Sequence, residues 1–255
     1  MTAPIEAVAV VVPAHDEEVL LPAALRALRA SALLVAARGG PPVDLLVVAD
    51  ACRDDTVAVA LAAGVRVLPV DVRSVGGARA AGFADALHRV RHVPPRRVWL
   101  ATTDADSLVP PGWLRHQLAL ADAGADLVLG TVDVLDWSEH PADVERQWRA
   151  SYDAGDGHRH VHGANAGARA DAYLDVGGFA DVDRDEDVAL AAALGHRRVV
   201  RTGGEPVVTS ARNRGRAPGG FASHLAGLSR RADGLGVRVQ WAGSQGSGST
   251  SVELT

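Results

Sequence analysis

The sequence predicts an α/β fold with a mostly parallel central sheet and helices on both faces. Three observations lead there. Short apolar runs alternate with amphipathic helical stretches through residues 1–107. Those runs are apolar at consecutive positions, as strands buried on both faces must be. Polar residues gather just past their carboxyl ends, where open α/β sheets hold ligands.

Each element has a local reason. Ala7 to Val12 is too short and too β-branched for a helix, and Pro13 closes it. Glu17 to Arg29 carries Leu21, Leu25 and Leu28 at helical spacing. Leu45 to Val48 is a second strand, ending at Asp50, after which Asp54 and Asp55 can cap a helix over Thr56 to Ala63 that Gly64 ends. Val65 to Val70 is the third strand. Gly76 to Arg91 is a helix after a glycine-rich turn, and Val98 to Ala101 is the fourth strand. Beyond it, Pro110-Pro111 starts a helix with Trp113, Leu114 and Leu118. Asp126 to Val134 is a strand, Pro141 to Tyr152 a helix, and Gly155 to Gly167 a turn-rich stretch. Ala170 to Val176 and Val188 to Leu194 are short helices, Val199-Val200 and Val207-Val208 are strand-like, and Gly220 to Arg231 is the last helix. Residues 243–250 are Ser/Gly-rich, as in a flexible tail.

Composition removes several chemistries. All 26 basic residues of the 255 are arginine. Without lysine there is no Schiff base, no lysine general base and no Walker-type phosphate loop. Cys52 is the single cysteine, so no intrachain disulfide or multi-cysteine zinc site can form. A net charge of −5 gives no polybasic attraction to nucleic acid or anionic lipid. No apolar run approaches the roughly 18 residues that span a membrane, and no signal peptide stands at the start. The expectation is a cytoplasmic protein.

Several clusters could carry chemistry. Asp104-Ala-Asp106 follows a buried strand, where two carboxylates can share a hard cation such as Mg²⁺ or Mn²⁺, or form a solvated acidic turn. Asp50 ends a strand too early to be a cap, so it can accept from a base or ribose. Arg73, Gly76, Gly77 and Arg79 open a helix whose N-terminus favours an anion. Glu186-Asp187 also starts a helix, as a cap or as a general base. His158, His160 and His162 alternate, so an extended chain puts them on one face, as metal ligands or a hydrated surface. Arg212, Arg214 and Arg216 form a basic loop suited to phosphate or to solvent.

Taken in order, these segments resemble family 2 glycosyltransferases of the GT-A fold. The run from Val10 through Pro13, His15, Asp16 and Glu17 is similar to the family's first strand and turn, with His15-Asp16-Glu17 where Asn-Glu is usual. Val48-Ala-Asp50 through Thr56 resembles its Asp-rich nucleotide turn. Ala78-Arg79-Ala-Ala-Gly82 resembles its Ala-Arg-Asn-x-Gly helix start without the asparagine. Thr103-Asp104-Ala-Asp106 matches the DxD motif, and His162-Gly-Ala-Asn165 with Gly177-Gly-Phe179 the acceptor segment. Glu186-Asp187 matches the ED motif, and Val208 through Arg212, with Arg216 and Gly220-Phe221, a C-terminal pattern. The resemblance spans about residues 7 to 228.

The resemblance implies a Rossmann-like GT-A domain and inverting transfer of a sugar from a nucleotide-sugar. Residues 1–107 are then its nucleotide-sugar half, 108–235 its acceptor half and 236–255 the tail. Asp187 is implied as the general base, and Asp106 with Asp104 as ligands of Mn²⁺ or Mg²⁺. Pro13, His15, Glu17, Asp50, Arg79, Asp104, Arg212 and Arg216 are implied on the donor, and Trp113, Asn165 and Glu186 on the acceptor. The acceptor is a sugar, small molecule or lipid carrier, the last reached at the membrane periphery, and a homodimer is compatible. A nucleotidyltransferase has a similar sheet and acidic site, but usually a glycine-rich basic first turn, whereas this turn is acidic. A non-catalytic nucleotide-sugar-binding protein is the third possibility.

Overall fold

The computed structural model describes residues 3–134, 136–180, 182 and 184–212. Among them one seven-stranded sheet runs in the order β3-β2-β1-β4-β6-β5-β7. Its strands are β1 (Ala7–Ala14), β2 (Val43–Asp50), β3 (Arg66–Val70), β4 (Val98–Thr102), β5 (Leu127–Val134), β6 (Ala166–Arg169) and β7 (Val199–Thr209). Neighbouring strands are parallel except around β6, which runs antiparallel to both β4 and β5.

Alternation along β1 explains the two layers of helix. Val8, Val10 and Val12 point to one face, where α1 (Leu21–Ala36), α2 (Thr56–Ala62) and α4 (Trp113–Asp122) pack with Leu25, Leu28, Ala60 and Leu114. Ala7, Ala9 and Val11 point to the other, covered by α3 (Val75–Arg89), α6 (Ala170–Asp175) and α7 (Glu186–Ala193) with Phe83, Tyr173 and Leu190. Helix α5 (Ala142–Ser151) closes a smaller cluster of Val134, Trp137, Val144 and Trp148. A sheet buried on both sides needs the near-continuous apolar strands that the sequence supplies.

The structure departs from the sequence reading at four places. Pro13 does not end β1, which continues to Ala14. The ladder with β4 stops at Val11, so the missing N–H of Pro13 costs no bond on that side. Helix α1 starts at Leu21 rather than Glu17, because Pro22 has no N–H to bond back to a preceding turn and fits only a helix's first turn; the N–H groups of residues 17 and 18 go to Thr56 Oγ1 and Asp54 Oδ2. The stretch from Gly155 to Gly167, expected to be turn-rich, ends by entering strand β6, which runs to Arg169. Finally, Val199-Val200 and Val207-Val208 belong to a single strand, β7, whose pairing with β5 shifts opposite Gly130 to Val132. The last helix, the tail and most of the basic loop lie outside the described residues.

Candidate active site

Strands β1, β2 and β4 end on the same edge of the sheet and deliver Glu17, Asp50, Asp104 and Asp106 there. Two arginines organise these acids. The guanidinium of Arg79, on α3, donates from Nη2 to Asp104 Oδ1 at 2.5 Å and from Nη1 to Glu186 Oε1. Burial alone would disfavour its charge, but Asp104, Glu186 and Asp187 outweigh that and hold it protonated. Arg212 makes the second clamp, forking onto both oxygens of Glu17 at 3.0 and 2.5 Å and reaching Asp106 Oδ2 at 2.9 Å. Each acid of the Asp104-Ala-Asp106 motif therefore has its own arginine.

Asp187 sits in the first turn of α7, next to this cluster. Its Oδ2 accepts from the Gly163 N–H at 2.7 Å, and its Oδ1 from the Val188 N–H at 2.8 Å. Burial raises its pKa, while Arg79 and the two N–H bonds pull it back. Burial likewise raises Glu186 against the pull of Arg79. Asp106 is pushed up to about 7, by burial first and then by the negative charge of Asp104, with Arg212 opposing.

Other expected site residues have different jobs. Trp113 is 1% exposed and Asn165 2%, and both are engaged inside the fold. The indole N–H donates to Asn165 Oδ1, and Asn165 Nδ2 donates to the carbonyls of Thr131 and Glu205. They are a polar lock in the core. Glu186 is 4% exposed and its carboxylate is held by Arg79, which is equally buried.

The carboxylate of Asp50 takes three backbone N–H groups, Val72 and Arg73 on Oδ1 and Ser74 on Oδ2. It therefore shapes the turn that leads into α3, where Arg73 adopts a left-handed φ of 53°. Only the unused capacity of Oδ2 remains for a base. His15 is half-exposed and bonds through Nδ1 to the Asp50 carbonyl at 2.7 Å, on the same edge. Arg216 lies outside the described residues.

The three histidines do share a face, stacked with ring centroids 5.7 Å apart. They do not converge on a metal. His158 is fully buried and donates from Nε2 to the Leu129 carbonyl, while Nε2 of His160 accepts from the Asp153 N–H. Tyr152 receives the Val132 N–H on its oxygen, so its proton goes to His162 Nε2. Among the described residues, the one group of three or more His, Cys, Asp or Glu side chains whose ligand atoms lie close together is Asp16, Cys52 and Asp54. Asp16 Oδ1 there takes the N–H groups of Arg53 and Asp54, and Asp54 takes the N–H and hydroxyl of Thr56. These bonds pin the β1–α1 turn to the β2–α2 turn.

The family model described as glycosyl transferase family 2 matches residues 9–172, well over half of the chain. The chain belongs to that family. The nucleotidyltransferase alternative falls with this assignment. A search of curated proteins gave no match. Among solved structures, S. aureus TarS (residues 1–349) superposes with a TM-score of 0.58 at 12% identity, over 88% of this chain and 69% of that one. Glucosyl-3-phosphoglycerate synthase from Mycobacterium tuberculosis, solved with Mn²⁺, UDP and glucosyl-3-phosphoglycerate, gives 0.54 at 17% identity, over 90% and 78%. These likenesses show the GT-A fold.

In this transferase the acids at the site outnumber the arginines: Glu17, Asp104, Asp106, Glu186 and Asp187 face Arg79 and Arg212. The pKa of Asp106 is raised first by burial and then by the negative charge of Asp104, which Arg212 only partly offsets. Carboxylate oxygens with uncompensated negative charge are the donor set that a hard divalent cation takes. The site residues thus fit such an ion. No helix among the described residues is long and apolar enough to cross a membrane.

Two glycines take roles that the sequence did not assign to them. Gly163 supplies the N–H that holds Asp187, and Gly76 leaves the space that the side-chain stem of Glu186 fills.

Proposed function

We propose that this transferase moves a sugar from a nucleoside-diphosphate sugar to an acceptor hydroxyl, with inversion at the anomeric carbon. The observation that carries this reading is Asp187, a half-buried carboxylate fixed by the Gly163 N–H beside the Asp104–Arg79–Glu186 chain. A general base needs a fixed oxygen and a pKa drawn toward neutrality, and Asp187 has both.

In this mechanism Asp187 takes the proton of the acceptor hydroxyl. The acceptor oxygen bonds to the anomeric carbon on the face opposite the diphosphate, and the bond from that carbon to the diphosphate oxygen breaks. One carboxylate is enough, because a single displacement inverts the centre. Asp106, with Asp104 beside it, would hold Mn²⁺ or Mg²⁺, which supplies Lewis-acid stabilisation to the departing diphosphate. Arg212 holds Asp106 and Glu17 in place, and the Asp50 turn with His15 forms the edge facing the nucleoside.

UDP-sugars are the first donors to test, since TarS was crystallised with UDP and the mycobacterial synthase with UDP-glucose and Mn²⁺. Thermal-shift screening of UDP-, GDP- and dTDP-sugars, with and without Mn²⁺, should single out one base by mass-action stabilisation. Asp187→Asn should keep that stabilisation and lose transfer. Normal turnover by this variant would remove Asp187 from the base role, and full activity in chelator would remove the cation. Binding without turnover over a broad acceptor panel would favour a non-catalytic protein.

A further inference from the structure

We infer that Arg79 is a positioning residue: one buried guanidinium ties Asp104, on the donor side, to Glu186 at the start of the base-bearing helix, and supplies the positive charge beside Asp187. The inference rests on the proposed role of Asp187. It differs from the sequence expectation, which put Arg79 on the donor.

The geometry leaves Arg79 little else to do. It is 3% exposed, and its two terminal nitrogens are committed to carboxylates that lie on opposite halves of the chain. Nε has no hydrogen-bond partner, so the polar contacts all run through the fork. A buried guanidinium is costly unless paired, and pairing with two acids from different elements converts that cost into a fixed distance between them. A lysine could supply the charge but not the fork.

The surroundings are cut to this shape. A Cβ on Gly76 would come within 2.9 Å of Cβ and Cγ of Glu186. A Cβ on Gly163 would run into the Arg79 guanidinium. The Gly163 N–H is also the donor to Asp187 Oδ2. One turn therefore rests on the clamp and orients the base. The charged groups facing Asp187 are Arg79 from α3, Asp104 from beyond β4 and Glu186 on its own helix, and Arg79 is the one that favours its ionised form.

The first readout needs neither donor nor metal. The Asp187 carboxyl is followed by ¹³C NMR against pH in the metal-free protein, its resonance assigned by loss in Asp187→Asn. Arg79→Gln should move the midpoint upward by about one pH unit, tenfold in proton affinity. Glu186→Gln removes an anion and frees the guanidinium, so the midpoint should fall. Arg79→Lys should leave it near wild type while UDP-glucose turnover with Mn²⁺ drops at every pH. A merely structural arginine would not give opposite shifts. If Arg79→Gln does not fold, the Glu186→Gln and Arg79→Lys pair still decides. An unmoved midpoint in the folded glutamine variants overturns the clamp. Failure of the base assignment shows separately, as turnover by Asp187→Asn.

Discussion

The indole N–H of Trp113 meets the side-chain oxygen of Asn165 at 2.8 Å, joining α4 to the turn before β6. Asn165 also ties down the Thr131 and Glu205 carbonyls. Asn165→Ala strands buried groups, each worth about 1–3 kcal/mol, so a loss of roughly 3 kcal/mol is expected in denaturant unfolding. At a temperature where the variant stays folded, the acceptor KM should be unchanged. A raised KM with intact stability would return both residues to the acceptor cleft.

Two glycines of α3 should behave differently. Gly82 lets the helix lie on the sheet, since a Cβ there would sit 2.5 Å from Val11 Cγ1 and 2.7 Å from Val48 Cγ2. Gly82→Ala should cost about 1–3 kcal/mol by overpacking. Gly76→Ala presses instead on Glu186, so its main effect should be on turnover. Paired melting and rate measurements separate the two.

Asp106 gives the apo protein a pH signature. Its folded pKa is raised to about 7, from 3.8 unfolded. Such a group contributes stability that is complete below the unfolded value and is lost as pH rises through the folded one. Without metal, Asp106→Asn should therefore melt above wild type, by a margin that opens above pH 3.8 and stops growing above about pH 7. Mn²⁺ should narrow the margin by stabilising only the aspartate form. A constant margin across pH would contradict this.

The Asp50 carboxylate should matter to folding before it matters to substrate. Asp50→Ala leaves the Val72, Arg73 and Ser74 N–H groups without their acceptor. A loss of about 2 kcal/mol is expected from unfolding curves. Amide exchange should quicken first at residues 72–74.

Much of this was legible in the sequence because it is local. β1, β2 and β4 are continuous apolar runs, and the acids past their ends follow from the chain direction alone. β6 was not legible: Ala-Gly-Ala-Arg has neither alternation nor β-branched residues, and its place comes from pairing with β4 and β5. The start of α1 moved because Pro22 fits only the first turn of a helix. At the site, the acids were foreseen but their partners were not. Arg79 and Glu186 are 107 residues apart, and no spacing rule links them. The burial of Trp113 was not legible either, since an aromatic near a motif looks the same whether it faces a substrate or a core.

The reversed direction of β6 has a consequence for how this scaffold tolerates change. Parallel neighbours present their finishing residues at the active edge, whereas β6 presents the residues that introduce it, Gly163 to Asn165. The strand is only four residues long, with Ala166 opposite both Thr102 and Leu129. Slipping it by one residue would exchange its two faces. The hold of Gly163 on Asp187 and that of Asn165 on Trp113 would then fail together. Insertions and deletions between Gly155 and Arg169 should therefore be selected against as a block, including at the exposed turn of Gly155 to Gly157 where the segment begins.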